Sequence, residues 1–116
     1  ILFLSVREDA ISILKASDIV VMSSNFEGFG LAAVEGMAAG KPVIASDVEG
    51  LSNIVEGAGL LFEPHNEKDL AAKIRLLMED QLFYKSVSEK CKQRSEKCDV
   101  SVMGNRYNQL YQSLCR

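Results

Sequence analysis

The chain has 116 residues, with 13 Lys or Arg against 16 Asp or Glu, giving a formal net charge of −3 with His neutral. With 47% hydrophobic and 25% charged residues it has the make-up of one globular domain, neither disordered nor membrane-embedded. The acidic balance argues against a nucleic-acid surface, which needs a concentrated basic stripe, and no apolar run reaches the ~20 residues of a membrane span.

Residues 1–5 (Ile1-Leu2-Phe3-Leu4-Ser5) have no Met and no charged leader, so they do not read as a signal peptide. They read as a buried strand already under way, which implies a chain cut from a longer protein. Residues 8–16 carry Ile11, Ile13 and Leu14 among polar residues and predict a short helix, with Asp9 as its candidate cap. Residues 18–22 form a second apolar run, ending in Ser23-Ser24-Asn25. Residues 30–39 are rich in Ala and Met and predict a helix, stopped by Gly40 with Pro42 just beyond. Residues 43–46 are a third strand, 51–55 one or two helical turns, and 59–63 a fourth strand ended by Pro64.

Asn66 caps a long helix whose third position is Asp69, a weakened capping box. Its apolar stripe is Leu70, Ile74, Leu77 and Met78. From Asp80 the chain reads as a helical tail, broken near Asp99 and at Gly104. Leu82, Phe83 and Val87 are expected to face a core, as are Val102, Met103, Tyr107, Leu110, Tyr111 and Leu114 in the last helix. Residues 1–80 form the α/β core and 81–116 the tail, too short for a core of its own.

Strands and helices alternate over short connections, so the fold class is α/β: a Rossmann-like parallel sheet with helices on both faces. Ligands in such sheets bind at the carboxyl ends of the strands, here the loops after Ser5, Met22 and Ser46.

The loop after Met22 holds the chemistry. Gly28 and Gly30 flank Phe29 at a helix start, where free N–H groups and the helix dipole suit a phosphate or diphosphate. Glu27 is either a cap or an acceptor for sugar hydroxyls. Glu35 falls on an apolar helix stretch, and its two oxygens could accept from neighbouring hydroxyls, as on a ribose. Gly36 beside it points to close packing.

Cys91, Cys98 and Cys115 are odd in number and lack a C-x-x-C pair, which reads as reduced thiols in a cytosolic protein. The single His65 lies far from any Cys, so zinc is not expected, and it reads as exposed. Lys85, Lys90, Lys92, Arg94 and Lys97, interleaved with Glu89 and Glu96, read as a solvated face, with a membrane-surface patch as the alternative.

Glu27 and Glu35, with seven residues between them, resemble the paired-glutamate signature of glycosyl transferases group 1, the family four of retaining glycosyltransferases with the GT-B fold. The surrounding text is similar too: Asp18-Ile19-Val20-Val21, Glu27-Gly28-Phe29-Gly30-Leu31, Glu35-Gly36-Met37-Ala38-Ala39-Gly40-Lys41-Pro42-Val43, Gly59-Leu60-Leu61-Phe62-Glu63-Pro64, and Phe3-Leu4-Ser5-Val6-Arg7. The resemblance implies the donor-binding part of one half of a GT-B enzyme that moves a sugar from a nucleotide diphosphate sugar to a glycan or lipid-linked acceptor.

By the same resemblance, Glu27 would contact the donor sugar at the reacting centre. The stretch Gly28, Phe29, Gly30 and Leu31 would hold the diphosphate, Glu35 the ribose, and Val6 and Arg7 would lie near the base. No metal or other cofactor is implied, nor nucleic acid, while peripheral contact with the inner face of the membrane is compatible. The sequence departs from the family at Gly36, often Ala, and at Glu49-Gly50 and Asn53. The family's basic clamp and acceptor domain would lie upstream, so this chain alone is expected to be inactive. An epimerase or phosphorylase on the same fold, or a non-catalytic nucleotide-sugar-binding module, are the alternatives.

Overall fold

A computed structural model describes residues 1–114, except for the side chains of Val100, Val102, Met103 and Arg106. The predicted positions of Val102, Met103 and Cys115 therefore lie outside the described residues.

Three short strands, β1 (Val20–Met22), β2 (Val43–Ser46) and β3 (Leu60–Phe62), form one sheet in the order β1-β2-β3. Both pairings are parallel, with Val21 opposite Ile44 and Ala45 opposite Leu61. Parallel neighbours need a crossover. Helix α2 (Leu31–Ala38) supplies the first and the single turn α3 (Ser52–Val55) the second. All four β2 residues are buried, so both faces of the central strand are covered. The expected α/β architecture is observed.

The helix ends follow their local chemistry. Gly40, at φ 75°, ends α2: its N–H donates to the Met37 carbonyl and that of Lys41 to the Gly36 carbonyl. Asn66 caps α4 (Glu67–Glu79), its side chain accepting from the Asp69 N–H at 2.9 Å. The Asp69 carboxylate does not return the bond to Asn66 and accepts instead from the Glu63 N–H at 2.8 Å. Asp80 caps α5 (Gln81–Lys97) by accepting from the Phe83 N–H. Before α1 (Ala10–Ala16), Asp9 makes no side-chain cap, because its carboxylate is held by Arg7.

The core joins β2 to Met37, Leu51, Val55, Leu77, Val87 and Cys91. Gly36 lets α2 press onto β1, since a Cβ there would stand 3.1 Å from Val20. Helix α5 packs against α2 and α4 and is joined to the loops ahead of each strand. The Tyr84 hydroxyl donates to the Asp18 carbonyl, Ser88 to that of Gly40, and Arg94 to those of Ile54 and Glu56. Arg94 thus leaves the solvated basic face expected for it and becomes a half-buried anchor.

Several expectations are corrected. Residues 1–5 form no strand and are exposed, because no neighbouring strand pairs with them. Met78 and Leu82, 72% and 80% exposed, face solvent. Helix α6 (Val100–Leu114) continues through Gly104 without a break. Tyr107, Leu110, Tyr111 and Leu114 are exposed, since no element among the described residues covers their stripe.

Candidate functional site

The loop between β1 and α2 is shaped from below by glycines. Gly30 takes the left-handed region at φ 76° as the N-cap of α2, and a Cβ there would meet the Leu51 side chain at 3.0 Å. Gly50, at φ 93°, backs against the Glu27 carbonyl so closely that any Cβ would collide with it. In the sequence, Gly50 stands out only as a departure from the family pattern. Its position in a strand-to-helix loop was the available signal for a close backbone approach.

Gly30 supplies no capping side chain, so the start of α2 is open. The N–H groups of Gly30, Leu31 and Ala32 meet no acceptor among the described residues. Phe29 and Leu31 are exposed beside them, and Glu27 is half-buried. Free N–H groups at the positive end of a helix form an anion site.

A cavity of about 630 Å³ lies along the outer edge of β1. Ser5, Val6 and Arg7 line it from the N-terminal segment, and Met22, Ala32 and Glu35 from the sheet and α2. The structure therefore brings together Val6, Arg7 and Glu35, three of the residues singled out in the sequence. Glu35 is exposed to this cavity, not enclosed in an apolar face. Glu27, Gly28, Phe29 and Leu31 do not line it and sit at the open helix start.

Arg7 is already engaged: its guanidinium donates to both carboxylate oxygens of Asp9, at 2.7 and 2.9 Å. That pairing lowers the Asp9 pKa and raises that of Arg7. Neither Glu27 nor Glu35 forms an ion pair or side-chain hydrogen bond among the described residues. Both carboxylates are thus free to accept from a ligand. Elsewhere, burial pushes the Cys91 thiol up, as befits a packing residue. Among the described residues no three His, Cys, Asp or Glu side chains gather as a metal site would require.

Comparison with known proteins bears on the family and the fold. The profile of glycosyl transferases group 1 matches residues 1–97. An N,N'-diacetylbacillosaminyl-diphospho-undecaprenol alpha-1,3-N-acetylgalactosaminyltransferase of Campylobacter jejuni subsp. jejuni serotype O:2 is 34% identical over 111 residues, 94% of this chain and 30% of the relative. Among solved structures, HepE of Anabaena in complex with UDP-glucose is 30% identical with a TM-score of 0.85, covering 96% of this chain and 32% of that one. The same protein in complex with UDP and glucose gives 29% and 0.82, over 92% of this chain and 30% of that one.

A three-stranded parallel sheet flanked by helices, with an open helix start at the end of its first strand, defines a Rossmann-like α/β domain. The chain belongs to the glycosyl transferases group 1 family and has the fold of the C-terminal domain of a GT-B glycosyltransferase. It spans about 30% of the length of the relatives it matches.

Proposed function

We propose that the protein to which this chain belongs transfers a sugar, with retention of anomeric configuration, from a nucleotide diphosphate sugar to a glycan or lipid-linked acceptor. The observation that carries this reading is the pair of unengaged carboxylates, Glu27 and Glu35, at and beyond the open start of α2. In this reading the nucleoside occupies the cavity beside Glu35, whose two oxygens accept from the ribose hydroxyls. The diphosphate lies against the N–H groups of Gly30 and Leu31, and Glu27 accepts from the donor sugar.

Breaking the sugar–phosphate bond places new negative charge on the diphosphate. Fixed backbone N–H donors and the helix dipole stabilise that charge without reorganising. The departing phosphate then takes the acceptor hydroxyl's proton on the same face of the sugar, so the chain supplies position and field but no nucleophile. No metal is invoked. The UDP-glucose held by HepE supports the donor class, and the lipid-linked substrate in the name of the Campylobacter relative supports the acceptor class and work at the inner face of the membrane. No helix among the described residues is long and apolar enough to cross a membrane.

The test is a pair of variants in the full-length protein, with nucleotide binding by calorimetry and turnover by product release. Glu35→Ala is expected to weaken nucleotide diphosphate binding about ten- to hundredfold, as loss of charge-assisted hydrogen bonds should. Glu27→Ala is expected to leave nucleotide binding intact and lower kcat about a hundredfold. Unchanged turnover in Glu27→Ala would sink the proposal. Donor consumed without acceptor would point to the epimerase alternative.

A further inference from the structure

A second cavity, of about 340 Å³, opens where all three strands end, and it shares no lining residue with the cavity beside Glu35. The loop that carries Glu27 runs between the two: Met22 lines the first, Ser23 and Asn25 the second. Its floor is apolar, made by Phe62 at the end of β3 and Leu70 of α4. Its rim is polar, made by Ser23, Asn25, His65 and Glu67.

Two further polar side chains at the cavity are already committed. The buried Ser46 hydroxyl donates to the Ser24 carbonyl at 2.5 Å, which ties the end of β2 to the Glu27 loop. The Asn66 side chain accepts from the Asp69 N–H and donates to the Glu63 carboxylate at 2.7 Å. These bonds fix the frame. By contrast, the side chains of Ser23, Asn25, His65 and Glu67 meet no hydrogen-bond partner among the described residues. His65 is held at φ 61°, the one non-glycine among the described residues at positive φ, between Pro64 and Asn66.

A pyranose has apolar ring faces and an edge of hydroxyls that both donate and accept. An apolar floor ringed by hydroxyl, amide, imidazole and carboxylate matches both parts. The carboxyl ends of parallel strands are where open α/β sheets bind ligands, and the volume lies in the ~300–1,000 Å³ range of small-molecule sites. We propose that this cavity is a sugar subsite, with Asn25, His65 and Glu67 reading the hydroxyls of a pyranose ring. The inference rests on the glycosyltransferase reading and deepens it by naming side chains that select the sugar.

The experiment is amide NMR on the full-length protein, titrated first with UDP, GDP and ADP and then, in the presence of whichever binds, with glucose and N-acetylglucosamine. The nucleotide is expected to move the amides of Gly30, Leu31 and Ala32. The sugar is expected to move those of Asn25, His65 and Glu67. Asn25→Ala and His65→Ala should each weaken the sugar response about tenfold, with the remaining amides unmoved as the check on folding. The source of the ring follows from a second arm. If the variants narrow the gap between nucleotide-sugar and nucleotide affinity, the ring is the donor's. If the gap stays and only free-sugar binding falls, it is the acceptor's. A nucleotide response with no sugar response at the three amides, or one that both variants retain, overturns the subsite alone. Absence of any nucleotide response removes the parent reading and the subsite with it.

Discussion

Residues 1–6 and strand β2 are two apolar stretches with opposite fates. Ile44 in β2 is fully buried, whereas Leu2 is 87% exposed. β2 has a parallel partner on each side and is buried at every position, while residues 1–6 pair with no strand. Hydrophobicity marks a segment that gains from burial, but the ladder that satisfies its N–H and C=O groups must come from a neighbour. A strand is a property of a pair, not of a run of residues.

The sharpest way to break this contrast is Ile44→Ala. It should destabilise the chain by about 2–5 kcal/mol, as large-to-small core changes do, measured by urea unfolding. Asn66→Ala tests whether local caps matter where packing is already good. It should cost about 1 kcal/mol, because one helix-start N–H loses its acceptor. Leu2→Ser should be within about 0.5 kcal/mol of the parent chain, since it alters an exposed residue. A Leu2→Ser loss comparable to that of Ile44→Ala would mean that the first segment is buried in solution and would erase the contrast.

The order of elements from β1 to α5 was legible because each apolar run is bounded by a residue with a definite backbone preference, such as Gly40, Pro64, Asn66 or Asp80. The exposed stripe of α6 was not legible, because an amphipathic pattern reports only that a helix has an apolar face, not that anything meets it. The same holds for residues 1–5. Within the candidate site, Glu27, Glu35 and the glycine-flanked Phe29 stand in one continuous stretch, so their spacing could be read directly. The second cavity draws on residues 23–25, 46, 62 and 65–70, four segments with no spacing relation between them. Only the fold brings Asn25 near His65. Arg94 follows the same logic: its charge points to solvent, while its partners are backbone carbonyls on a distant turn.

The bonds from Tyr84, Ser88 and Arg94 reach the chain just before β1, β2 and β3 in turn. One helix thus works like a binding along a book's spine, stitching the entry edge of every page while the opposite edges stay free. Loops at those free edges can be lengthened or recoded without loosening the stitching. A domain built on this plan can change at one margin while keeping its stability at the other.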